Sequence, residues 1–165
     1  IPDKERIKKI IDDIRHQDQI LGTHDVIVHS YGLKKEFMSI HVEISDRTTL
    51  IDAHEIVDHL EGYIKQKYDV ELVTHIDPIE QGNPIYNDIL KRISLVISDV
   101  ADVDNFQMHD LRLIKPFSKT KKVVFDLNVP PETKLTYKDI QETIVNKMKD
   151  DGFNAVINLE ENYLD

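Results

Sequence analysis

Seven of the eight histidines of this 165-residue chain lie in its first half, and four of them, His24, His41, His54 and His75, fall with Asp77 between Gly22 and Pro78. Imidazole nitrogen and carboxylate oxygen together suit four-coordinate Zn²⁺, and a carboxylate can bridge two ions. The five residues therefore read as a candidate metal site, either one closed site or a two-ion cluster. Zn²⁺ is the first choice, and Mn²⁺, Fe²⁺, Co²⁺ or Cd²⁺ would be accepted by the same donors. Two of these residues also have a plainer reading. His54 could be a helix-boundary histidine paired with Asp58 at i+4, and His24 a strand-start cap beside Asp25. His16, His29 and His59 are read as solvated.

No catalytic constellation accompanies these ligands. The sequence has no Gly-rich phosphate loop and no His-Glu-x-x-His helix, and its serines have no evident base. The expectation is a protein that binds and does not catalyse.

The elements that must position the ligands follow from periodicity. Ile7, Ile10, Ile11 and Ile14 mark one face of a helix, with Asp3 after Pro2 as its N-cap and Gly22 closing the segment. Thr23 to Tyr31 reads as a strand, Gly32 to Glu36 as a turn, and Phe37 to Ser45 as a return strand. In that strand Met38, Ile40, Val42 and Ile44 take one face, and Ser39, His41 and Glu43 the other. Thr49 with Asp52 opens a second helix, whose stripe is Ala53, Ile56, Val57, Leu60 and Ile64, with His54 at its edge. A third strand, Val70 to Ile76, ends at Pro78 and puts Val73, His75 and Asp77 on one face, so that His75 and Asp77 can reach one ion.

The same plan then repeats. After a breaker-rich linker, Ile89, Ile93, Val96, Ile97 and Val100 stripe a helix. Met108 to Ile114 and Lys122 to Val129 form strands, Thr136 to Lys149 a helix, and Ala155 to Leu159 a last strand. At an offset of 85, His24-Asp25-Val26 lies on His109-Asp110-Leu111 and His41 on Asp126; with a slip of one or two residues, His75 and Asp77 meet Asn158 and Glu160. The expectation is two copies of one small fold, with boundaries at 1–80, a linker at 81–87 and a second copy at 88–165. The second copy is read as structural or partner-binding, with His109, Asp126 and Glu160 as candidates for a weak second site.

Composition narrows the partners. The formal net charge is −10, which repels nucleic acid phosphates and anionic lipid and favours cations. Residues 1–83 carry 10 Lys+Arg against 17 Asp+Glu, a net of −7, and residues 84–165 carry 11 against 14, a net of −3. The acidity lies with the histidines. The sequence has no cysteine, no apolar run of membrane-spanning length and no signal-peptide pattern at its start, so a soluble cytosolic protein is expected.

His24-Asp25-Val26, Ser39-Ile40-His41-Val42-Glu43, Asp52-Ala53-His54-Glu55-Ile56 and Val73-Thr74-His75-Ile76-Asp77-Pro78 together resemble the cytoplasmic C-terminal domain of the cation diffusion facilitators, metal-efflux transporters of bacterial and eukaryotic membranes. The resemblance covers about residues 7–80 and places the family's metal positions on His24, His41, His54, His75 and Asp77. It implies an α+β fold, here as two tandem ferredoxin-like α-β-β-α-β lobes, each a three-stranded sheet covered on one face by two helices. It also implies a homodimer on the cytoplasmic side of the cell membrane, joined to a transmembrane domain of the same polypeptide and regulated by divalent metal. The alternative is a tandem ferredoxin-like sensor of a small organic molecule.

Overall fold

The isoleucine stripe at 7, 10, 11 and 14 is wholly buried on a helix α1, Lys4–Arg15, whose first N–H groups are satisfied by the Asp3 carboxylate accepting from Glu5 and Arg6. The computed structural model describes residues 3–32 and 35–161, which divide into two units between Gln81 and Gly82. Pro2 and positions 33 and 34 of the expected turn lie outside the described residues, as do 162–165. Gly22 does not close α1, which ends at Arg15 on a His16 cap; it is the first residue of strand β1, Gly22–Tyr31.

Strand β2, Lys35–Ser45, follows, then helix α2, Leu50–Tyr68, and strand β3, Val70–Ile79. The Thr49 hydroxyl accepts from the Asp52 N–H at 3.1 Å, as the spacing predicts. Ala53, Leu60 and Ile64 of α2 are buried, while Ile56 and Val57 are half-buried at the edge of the core. The sheet order is β1-β2-β3, with β1 antiparallel and β3 parallel to β2. Met38, Ile40, Val42 and Ile44 face the helices and pack with the α1 isoleucines, Leu60, Ile64, Val70 and Leu72. A polar tie joins the helices at their edge, where the Asp13 carboxylate accepts from Lys67 at 2.8 Å and from the Tyr68 hydroxyl at 2.7 Å.

Pro78 does not end β3. The strand runs on to Ile79, with Pro78 opposite Ile44. A proline is tolerated there because β3 is an edge strand, so the missing N–H removes no second ladder bond.

The second unit has helix α3, Pro84–Val100, strand β4, Gln107–Leu113, a single turn α4, Phe117–Thr120, strand β5, Lys122–Val129, helix α5, Tyr137–Asp150, and strand β6, Asn154–Glu161. The expected linker at 81–87 is too long. Asn83 caps α3 through its side-chain oxygen, and Pro84 takes the first helical turn, where its lack of an N–H costs nothing. The sheet order β4-β5-β6 repeats the antiparallel-then-parallel pattern. Both units therefore have the expected α-β-β-α-β ferredoxin-like plan, with α4 added in the second.

The two copies agree down to a backbone irregularity. β1 pairs His24 with His41 and Ile27 with Ser39, so Asp25 and Val26 together oppose Ile40. β4 pairs His109 with Asp126 and Arg112 with Val124 in the same way. Asp25 and Asp110 hold positive φ, 51° and 54°, a left-handed conformation that aspartate tolerates better than most residues. The bulge resets the alternation, so His24 and Ile27, three apart in sequence, lie on the same sheet face.

Ile64 is fully buried beneath this sheet. Ile64→Ala is expected to cost about 2–5 kcal/mol in urea unfolding, whereas the exposed Asp58→Ala should stay within about 0.5 kcal/mol of wild type. Equal effects of the two substitutions would show that α2 does not carry the core.

Candidate metal centre

The register of the first sheet aligns the imidazoles. His24 stands opposite His41, and His41 opposite His75, so three histidines form one row across three adjacent strands on the face away from the helices. Their ring centroids lie 5.2 Å apart for His24 and His41 and 5.0 Å for His41 and His75, the latter pair stacked at 24°. The next row on that face brings Glu43 opposite Asp77.

Asp77 joins the rows. One of its oxygens, Oδ2, accepts a very short hydrogen bond from Nε2–H of His24 and another at 3.1 Å from Nδ1–H of His41. Glu43 Oε1 lies 3.5 Å from Nδ1 of His24. In the bulge, Asp25 offers a carboxylate oxygen that lies within 4.8 Å of a ring nitrogen of both His24 and His41, which are equally close to each other. His24 and Asp77 are buried, His41 is half-buried and His75 is exposed. A donor set of imidazoles sharing a carboxylate fits a divalent cation of the zinc type.

His54 is not part of this group within one chain. It sits on the exposed side of α2 with 76% of its side chain accessible, and the carboxylate within ion-pair reach is Glu55 at 3.9 Å, in place of Asp58. His16, His29 and His59 are exposed, as expected for solvated side chains. Sequence reasoning passed over Glu43 and Asp25. The alternation of β2 already put Glu43 beside His41, so it could have been found. Asp25 could not, because its approach depends on the bulge.

Electrostatics show what the cluster does without metal. Burial alone would push the His24 pKa down, but its hydrogen bonds to Asp77 and Glu43, and their charge, outweigh this and lift it from 6.5 to about 9. Burial likewise tends to raise Asp77, yet the hydrogen bond and charge of His24, with a contribution from His41, hold it below its ordinary 3.8. The metal-free site is thus an ion pair, with imidazolium protons between the ring nitrogens and the carboxylates.

The fold and this ligand-rich sheet face define an α+β domain of ferredoxin-like plan with a donor row across its strands. Residues 2–79, just under half of the chain, match the family model described as the cytoplasmic domain of cation efflux proteins. Curated relatives include the cation-efflux pump FieF of Salmonella typhimurium, 33% identical over 79 residues, and that of Escherichia coli, 32% identical over 79 residues. The match covers 47% of this chain and 26% of each pump, so the chain spans about a quarter of these relatives. Among solved structures, the metal-bound C-terminal domain of the CzcD transporter from Thermotoga maritima is 19% identical, covering 51% of this chain and 99% of that one with a TM-score of 0.43. The cytosolic domain of a cation diffusion facilitator family protein is 21% identical, covering 48% and 93%, with a TM-score of 0.40.

A proton-linked stability follows from the raised His24 pKa. The group's contribution is fully present below its unfolded value of 6.5 and is lost as pH rises from there through about 9. Asp77 acts at the other end, its contribution lost as pH falls below 3.8. In chelator, the melting temperature should therefore decline between pH 6.5 and 9, and His24→Gln should flatten that decline. An unchanged slope in the variant would remove His24 as its source.

Proposed function

We propose that the first unit is a metal-sensing, dimerising regulatory domain of a divalent-cation efflux transporter, held on the cytoplasmic side of the membrane by a transmembrane part of the same polypeptide. The observation that carries this reading is the His24–His41–His75 row with the Asp77 carboxylate between two of its rings. His24, His41, His75 and Asp77 would hold Zn²⁺, with Glu43 and Asp25 as additional oxygen donors. His54 stands apart in one chain, and its share is tested separately by His54→Ala. Among the described residues no helix is long and apolar enough to cross a membrane.

Two features support dimerisation and its coupling to metal. The face that carries the histidine row also exposes Ile27, Tyr31, Phe37 and Val73, an apolar strip suited to a second copy. Residues 1–83 carry a net charge of −7 (10 basic against 17 acidic side chains), so two copies repel until cations neutralise their carboxylates. An ion that binds the closer arrangement more tightly shifts the population toward it, and the membrane part would read that shift as a signal to export. At neutral pH the ion must displace the proton on His24, so affinity should weaken as pH falls.

Calorimetry of this fragment at pH 7.5 is expected to show Zn²⁺ binding with Kd of about 1 μM or tighter and proton release, with sedimentation shifting toward dimer. The double variant His41→Ala, His75→Ala should lose that binding. Retention of wild-type affinity in the double variant, or no binding by wild type, overturns the reading. A melting screen with metals and small metabolites separates it from the alternative, since a small-molecule sensor would be stabilised by a metabolite and not by Zn²⁺.

A further inference from the structure

The second unit keeps the geometry of the first while changing its donor atoms. On the face away from its helices, His109 pairs with Asp126 and Asp126 with Asn158, and in the next row Asn128 pairs with Glu160. These positions match, strand by strand, His24, His41 and His75, then Glu43 and Asp77. We propose that the second unit carries a divalent-cation site of its own, built from Nε2 of His109, Asn128 and Glu160, with Asp126 behind the imidazole at Nδ1, and harder in donor character than the first. The proposal rests on reading the first unit's row as a ligand set.

Four observations carry it. First, two oxygens gather at one nitrogen and a carboxylate stands behind the other: Asn128 Oδ1 lies 2.9 Å and Glu160 Oε2 4.0 Å from Nε2 of His109, while Asp126 Oδ2 lies 3.6 Å from Nδ1, on the far side of the ring, where it can hold the imidazole in place. Second, Glu160 is oriented by a neighbour. The Asn158 amide donates to its Oε1 at 2.9 Å, leaving Oε2 as the oxygen toward His109, the kind of outer-shell hydrogen bond that aims a ligand.

Third, the formal charge is preserved. The first unit's rows hold two carboxylates, Glu43 and Asp77, and the second's hold Asp126 and Glu160; where His41 became Asp126, Glu43 became Asn128. Each pair of rows therefore holds two negative charges. Fourth, His109, Asp126 and Asn128 are buried, at 6%, 8% and 6% exposure. Burying polar and charged groups is costly, and this sheet face accepts apolar residues, because the row beside them pairs Val124 with Val156. A face that had merely lost its site could have filled these positions with valine.

The swap of three imidazoles for one, with carboxylate and amide oxygens in their place, moves the preference from zinc-like ions toward Mn²⁺. The test uses the whole 165-residue chain titrated with MnCl₂, free Mn²⁺ being followed by its electron paramagnetic resonance signal. Wild type should show a Mn²⁺ site that survives His41→Ala, His75→Ala. Loss of one outer-shell partner alone typically costs about 10–100-fold in metal affinity, so Asp126→Asn, Glu160→Gln should weaken the site by at least ~100-fold. Wild-type Mn²⁺ affinity in that variant, or loss of all Mn²⁺ binding in the His41, His75 variant, overturns the proposal.

A measurement on wild type guards against misfolding of the variants: substoichiometric Mn²⁺ should broaden the imidazole NMR signals of His109, and unbroadened signals overturn the proposal as well. The two readings fail separately. Zn²⁺ binding that ignores His41 and His75 removes the first site, whereas Mn²⁺ binding that ignores Asp126 and Glu160 removes the second.

Discussion

The parallel pairing of β2 with β3 is the constraint on which the ligand row depends. Residue 41 meets residue 75 only because Met38, Ile40, Val42 and Ile44 on one strand and Val70 and Leu72 on the other must face the same helices. A slip of one residue would turn His75 and Asp77 toward the isoleucines of α1 and put Leu72 in water. The hydrophobic core thus sets the spacing of the polar face. The ligands need no loop to hold them, and two of the three imidazoles are already stacked on neighbouring strands.

This arrangement makes proton and metal competitors for one place. Asp77 Oδ2 lies between His24 Nε2 and His41 Nδ1, so without metal a proton bridges the buried carboxylate and the ring, and the lifted His24 pKa expresses that exchange. Loading the candidate site would trade a local ion pair for a cation whose charge is shared by several donors. A sheet face held in register by its core would need little rearrangement to make that exchange.

Much of this was legible in the sequence, because period-two alternation and helical stripes are unusually clean here. Both helices of the first unit, the two faces of β2 and the repeated plan follow from the spacing of apolar residues, and four motifs carry the resemblance to the cation-efflux family. What sequence could not show was local backbone chemistry. The bulges at Asp25 and Asp110 break simple alternation, so the placement of His24 and His109 on the ligand face could not be read by counting. Pro78 and Pro84 look like breakers in the sequence, because a proline's meaning depends on whether its strand is an edge or its helix is just starting. His54 lay at the boundary of an apolar stripe, and spacing alone does not say which way such a residue turns.

The proline that continues β3 has a further effect. An edge strand is a template on which a neighbouring chain can grow a sheet, and Pro78 removes a donor from that template one residue after the Asp77 ligand. β6 of the second unit has no proline and ends instead on Glu160 and Glu161, whose charges disfavour the same stacking. Growth of a sheet from β3 or β6 is therefore discouraged near their carboxyl ends.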